Sequence, residues 1–279
     1  MTEPVPSELM GLWRREVITA PGFRDDTTQV VWLQTARWYA DLRVRVDRPG
    51  PKIAPGFSAY SDADLIALAK VQGFAGELTA ADGVCVWRRD LDHQPAGPEP
   101  DEARYSLDGD IMIEDGIHSD YQEIWRRAAD SQGPFAAFRL TETDGRSGLL
   151  VMAGRHLIEF VARPGAAPDG ESLAALVEHE LAEGRRAGAE ALLATRIRYA
   201  VSEGGGWTVK LSSMPWLEGQ PIWPADAARF DLDAGVLTVE FGGTGLAWTL
   251  LDFSGPEGAL ERLIQGGSQT AAATPEAAQ

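Results

Sequence analysis

Along this chain apolar and polar residues alternate in short runs punctuated by Gly, Pro and Asp-Gly turns, the period-two pattern of strands that bury one face. Residues 12–19, 30–34 and 38–46 read as three such strands, followed by a Pro- and Gly-rich loop. A short helix is predicted over 62–71, because Ser61-Asp62 supplies a start signal and Gly73 stands just past its end. Strands over 74–79 and 84–91 follow, joined at the hairpin turn Asp82-Gly83. Beyond a Pro-rich connector at 93–100, a hairpin over 103–107 and 111–114 turns at Asp108-Gly109, and a last strand runs over 121–127. The first half thus amounts to eight strands and one helix.

The same order returns in the second half. Strands over 135–141, 148–153 and 156–161 precede a helix starting near Ser172, and strands over 196–202 and 207–212 come next. A Pro-rich connector at 215–224, a hairpin over 228–232 and 236–241, a strand over 246–253 and a short helix over 256–264 complete it. The best local match sets Ala103-Arg104-Tyr105-Ser106-Leu107-Asp108 against Ala228-Arg229-Phe230-Asp231-Leu232-Asp233. Each is followed by a Gly turn and an apolar strand that carries Glu114 or Glu240. Shared rank in both halves argues for a duplication more strongly than the shared letters do.

The fold class that follows is mainly β, with two tandem antiparallel barrels of about eight strands plus one short helix each. Their expected extents are 1–133 and 134–264, with a disordered tail over 265–279. Closure is expected because an open antiparallel sheet leaves two unpaired edges. Gly11-Leu12-Trp13 opens the first strand, and Arg126 and Arg127 lie on the last. This pairing resembles the lipocalin or calycin barrels, in which an Arg of the last strand packs over the Trp of a Gly-x-Trp signature. The tandem arrangement is similar to the fungal casein-kinase-interacting family with two lipocalin-like barrels. The resemblance implies a fold and brings no catalytic residues with it, and the helix in each repeat departs from a plain eight-strand lipocalin.

Charge narrows the function classes. The 279 residues carry 25 Lys and Arg against 42 Asp and Glu, a formal charge of −17 shared by both halves, so a nucleic-acid backbone or an anionic membrane would be repelled. No apolar run approaches the ~18 residues of a membrane span. The start Met1-Thr2-Glu3-Pro4 lacks the basic and apolar regions of a signal peptide, and Cys85 alone cannot form an intramolecular disulfide. The expected location is the cytoplasm.

The most unusual local feature is Trp-Arg-Arg, which occurs as Trp13-Arg14-Arg15, Trp87-Arg88-Arg89 and Trp125-Arg126-Arg127. Residues two apart on a strand share a face, so each Trp shares its side with Arg15, Arg89 or Arg127. With those sides facing inward, the first barrel would hold an aromatic pocket with a cationic end, and Tyr39, Tyr121 and Glu123 would complete its polar part. Such a pocket suits a small apolar or carboxylate-bearing ligand, because the guanidinium fork matches carboxylates and phosphates. The structural alternative is that the Trp and Arg side chains stack as cation–π pairs or that the Arg pair with the abundant acids. The second half lacks the motif, so its interior should be more apolar and better filled.

Other chemistries find little support. The four His stand at no metal-ligand spacing with one another or with Cys85, and His179-Glu180 lacks the second His of a zinc-protease helix. There is no Gly-x-Ser-x-Gly elbow, phosphate-binding loop or dinucleotide fingerprint, so neither a metal nor a cofactor is expected. The leading reading is non-catalytic binding of a small amphipathic or acidic ligand in the first barrel. A second is an interaction protein with filled barrels and a protein partner, using the loop at 46–58 or the segment 215–224 with Trp216 and Trp223. A third is an acid–base enzyme using Glu123, Tyr121 and His118, although alternation sets His118 on the opposite face.

Overall fold

The computed structural model describes residues 3–97, 99–141, 145–165, 172–203, 205–224, 227–231, 234–241 and 244–266. It is mainly β, in two sheets. The first contains β1 (Gly11–Ala20), β2 (Phe23–Asp25), β3 (Gln29–Gln34), β4 (Trp38–Val44), β5 (Phe74–Ala81), β6 (Val84–Asp92), β7 (Glu102–Asp108), β8 (Ile111–Gly116) and β9 (Gln122–Arg127). From β1 through β3 to β9 each strand bonds to the next, and β9 returns to β1, which closes an eight-strand barrel. The short β2, which the alternation pattern did not predict, is a flap on the end of β1. Entry to β1 requires Gly11: its φ is +128°, and a Cβ there would stand 2.8 Å from the Ser131 hydroxyl that accepts the Leu12 N–H.

The second sheet contains β10 (Phe135–Thr141), β11 (Ser147–Ala153), β12 (His156–Val161), β13 (Arg196–Glu203), β14 (Gly206–Ser212), β15 (Ala228–Asp231), β16 (Val236–Phe241) and β17 (Thr244–Ser254). Its order, β14-β13-β12-β11-β10-β17-β16-β15, ends in two edges that do not meet. The expected second closed barrel is therefore a curled half-barrel. The physical reason is α4 (Ala259–Ile264), which occupies the gap. The Trp207 indole on β14 donates to the Leu263 and Ile264 carbonyls at 3.2 and 3.0 Å, and Leu260, Leu263 and Ile264 join Phe138, Leu150 and Trp248 in the core. The helix covers the concave apolar face that closure would otherwise hide.

Three helices form a separate layer. In α1 (Asp62–Leu68) the Ser61 side chain accepts from Asp64 N–H while the Asp64 carboxylate accepts from Ser61 N–H, a reciprocal cap. In α2 (Leu173–Ala182) the Ser172 side chain takes the place that Ser61 holds in the first unit and accepts from Ala175 N–H. The additional α3 (Arg186–Leu192) was not anticipated as a separate helix. Leu65 and Leu68 of the first repeat pack with Leu173, Val177, Ala189 and Leu193 of the second.

The two units pack face to face. Leu33, Ala40 and Leu42 from β3 and β4 meet Val151, Ile158, Phe160 and Ile197 from the second sheet in one apolar layer. This explains why β4, β11 and β12 are buried almost throughout: one face lines its own unit and the other lines the joint. Leu232, Asp233 and the tail from residue 267 onward lie outside the described residues. No described helix is long and apolar enough to cross a membrane.

Candidate functional site

Alternation along β1, β6 and β9 aims Trp13, Trp87 and Trp125 into the first barrel and leaves Arg14, Arg88 and Arg126 on its outer surface. Trp32 on β3 binds them into one cluster, with ring centres 6.2 Å from Trp13, 5.7 Å from Trp87 and 5.8 Å from Trp125. The cavity left beside Trp32, Trp87 and Trp125 is about 10 Å³, the threshold for a single water. The middle of this barrel is filled.

The three inward-side arginines are all engaged. Arg15 donates to Glu123 at 2.7 Å and lies 3.4 Å from Asp25. Arg89 pairs with Asp101 at 2.6 Å and Asp92 at 3.0 Å, and its guanidinium stands 3.7 Å from the centre of the Phe74 ring. Arg127 pairs with Asp110 at 2.8 Å, donates to the Glu8 carbonyl and lies 5.5 Å from the Trp13 ring centre. Of the two last-strand arginines, Arg127 and not Arg126 is the one that reaches Trp13. What sequence presented as the cationic end of a pocket is a set of arginines matched to internal and rim carboxylates.

Several members of the set were not foreseen. Asp41 and Arg43 alternate with apolar residues on β4 and so point inside, where Arg43 donates to Asp41 at 3.0 Å and stands 3.9 Å from Glu123. Asp41-Leu42-Arg43 carried the signal: two polar residues at strand spacing in an otherwise apolar run. Glu114 faces Glu123 directly across the β8–β9 ladder and accepts from the Tyr121 hydroxyl at 3.0 Å. His118 pairs with Glu102 at the surface, so Tyr121, Glu123 and His118 do not assemble.

Acids outnumber bases here: Asp25, Asp41, Asp92, Asp101, Glu114 and Glu123 against Arg15, Arg43 and Arg89. Burial, with Glu123 opposite, pushes Glu114 up to about 8. Burial also lifts Asp41 to about 6, against the pull of Arg43. The Tyr39 and Tyr121 hydroxyls are raised as well, first by burial. Among the described residues the buried Tyr39 hydroxyl and the indole nitrogens of Trp32 and Trp125 have no hydrogen-bond partner. Cys85 is buried and its thiol is pushed far above its ordinary value, so it is inert.

Sharing Trp87 and Asp101 with the small cavity, a pocket of about 510 Å³ opens at the barrel mouth. Asp90, Asp92, Glu99 and Asp101 line it together with a single guanidinium, Arg89. Among the described residues no group of three or more His, Cys, Asp or Glu is placed to hold a metal ion.

The half-barrel holds its own charged group inside an apolar core. Glu159 of β12, at the place on the third strand of its unit that Asp41 holds on β4, accepts from Arg198 at 2.6 Å and Arg196 at 3.0 Å. Burial works to raise this carboxyl, but the two guanidiniums outweigh it and hold it at about 2. The alternating Arg196-Ile197-Arg198 was its signal. Of the two candidate partner segments, 215–224 is packed: Trp216 meets Phe57 at 4.8 Å and Trp223 lies in the core. The loop at 46–58 instead exposes Val46 and Ile53.

No family model matches this chain. No curated protein matches it either. Among solved structures it is similar to the crystal structure of an uncharacterised Saccharomyces cerevisiae protein, YLR301w, with a TM-score of 0.52 and 14% identity over 88% of this chain and 99% of that one. At that identity the likeness is one of fold alone.

Proposed function

We propose that this chain is a non-catalytic binding protein whose first, lipocalin-like barrel takes a small ammonium or guanidinium compound at its mouth. The observation that carries the reading is the excess of carboxylates around Trp87 in a barrel whose arginines are already matched. A cation there would gain attraction from Asp101, Asp92 and Glu99 together with the face of an aromatic ring. It would also favour the ionised forms of Asp41 and Glu114, so uptake would release protons and tighten with rising pH. The sequence pointed to a carboxylate-bearing ligand; the matched arginines and the filled centre move the proposal to the mouth and to the opposite charge. The lipocalin-like assignment draws support from the Trp13–Arg127 contact. A cytoplasmic setting suits a chain whose lone cysteine is a buried thiol.

Tryptophan fluorescence titrated with agmatine and choline at constant ionic strength tests this. A saturable change is expected, tighter at pH 8 than at pH 6 and at least tenfold weaker in Asp101→Asn. Absence of any saturable response to both probes would remove the reading. A second reading rests on the loop at 46–58, where the exposed Ile53 and Val46 offer a contact to a protein partner.

A further inference from the structure

We infer that the groove between the two units is a second binding site, for a small amphiphile whose carboxylate or phosphate head is held by Arg14. The middle residue of the first Trp-Arg-Arg points out of the barrel toward β13, where its Nη2 donates to the Tyr199 hydroxyl at 2.7 Å. Arginine has no acceptor, so the Tyr199 oxygen accepts here; the Asp130 carboxylate can only accept from His156 Nε2, which leaves Nδ1 of the neutral ring to accept the Tyr199 proton at 2.9 Å. His156 is then the Nε2–H tautomer and donates to Asp130 at 2.8 Å. The result is a one-way chain of hydrogen bonds, Arg14 to Tyr199 to His156 to Asp130, running across the joint between the units.

Arg14 differs from Arg15 in the same groove and from Arg89 at the barrel mouth, both of which are paired with carboxylates. Among the described residues it has no carboxylate within ion-pair distance, and the Tyr199 hydroxyl is its one hydrogen-bond partner. The groove beside it measures about 380 Å³, within the range of small-molecule sites. Its apolar wall is Val31, Val201 and Leu211, and its other cations are Arg15, held by Glu123, and Lys210, paired at the rim with Glu203 at 2.7 Å. The acid that lines it, Asp26, is taken up by Arg24 at 3.1 Å. An apolar wall with an unmatched guanidinium at one end is the arrangement that a fatty chain with an oxyanion head fits.

The test uses the full chain labelled with ¹⁵N, titrated below micelle formation with octanoate, octyl phosphate and octanol at constant ionic strength, following the ring nitrogens of His156. The relay makes His156 the reporter, because an anion on Arg14 removes part of the positive field that its ring feels through Tyr199. Octanoate or octyl phosphate, or both, should give saturable shifts, and whichever saturates names the head group; octanol should give none. Arg14→Gln should weaken binding at least tenfold, Arg14→Lys, which keeps the charge, by a few-fold, and Arg88→Gln, on β6 away from the groove, not at all. Asp101→Asn, at the barrel mouth, should leave these shifts unchanged, which separates this site from the proposed cation site. Octanol binding as tightly as octanoate, unsaturable shifts with both anions, or an undiminished response in both Arg14 variants would overturn the inference.

Discussion

At pH 8.5 the Glu114→Gln variant should melt well above the parent protein, and at pH 4 the two should melt together. In the fold Glu114 keeps its proton up to about pH 8, because burial and the facing Glu123 both oppose its charge. In the unfolded chain it ionises around its ordinary value of 4.5. Between those values the folded state binds more protons than the unfolded one, so stability falls as pH rises, by about 1.4 kcal/mol per pH unit, and levels off above pH 8. Glutamine keeps an acceptor for the Tyr121 hydroxyl and has no charge to bury. The expected gain above pH 8 is on the order of 4 kcal/mol, measured by thermal or urea unfolding across pH. A variant equal to the parent at every pH would show that the carboxyl is ionised in the fold. The same substitution bears on function, since a permanently neutral residue at 114 should flatten the rise in cation affinity from pH 6 to pH 8.

How far the sequence led can be judged from individual residues. Strand order was legible because alternation reports single-face burial, and α1 was legible because its cap is local to Ser61 and Asp64. The flap β2 has only three residues, too few to alternate, and α3 has Arg185 at its N-cap position with no side-chain cap. The open edge of the second sheet was illegible for a different reason: closure depends on whether two strands far apart in sequence meet, and α4 occupies that place. At the candidate site, the sharing of one strand face by each Trp and the second Arg after it followed from period two, although which face turns inward stayed open. The partners of the arginines did not follow from it, because Asp25, Asp101 and Glu123 reach them through ladder register and connector path. Glu114 and Glu123 show the gap most clearly. Each lies in a predicted strand, yet only the β8–β9 register sets them opposite one another and turns an ordinary acid into one that holds its proton near neutrality.

Replacing Glu159 by Gln should have the opposite effect to the change at Glu114, although both remove a buried carboxyl group. Glu159 accepts both forks of Arg198, at 2.6 and 2.7 Å, and also Arg196, so its charge neutralises guanidiniums with little access to solvent. Losing it leaves them buried without a counter-charge, and breaking such a group costs about 3–5 kcal/mol. Glu159 titrates at about 2 in the fold and 4.5 when unfolded, so its contribution is fully present above pH 4.5 and is lost as pH falls toward 2. The parent and Glu159→Gln should therefore differ most at neutral pH and converge in acid. Adding Arg198→Met to Glu159→Gln should recover part of the loss, because the second change removes the charge that the first one stranded. Additive destabilisation in the double variant would mean that Arg198 contributes through packing and its bond to the Ile222 carbonyl rather than through Glu159.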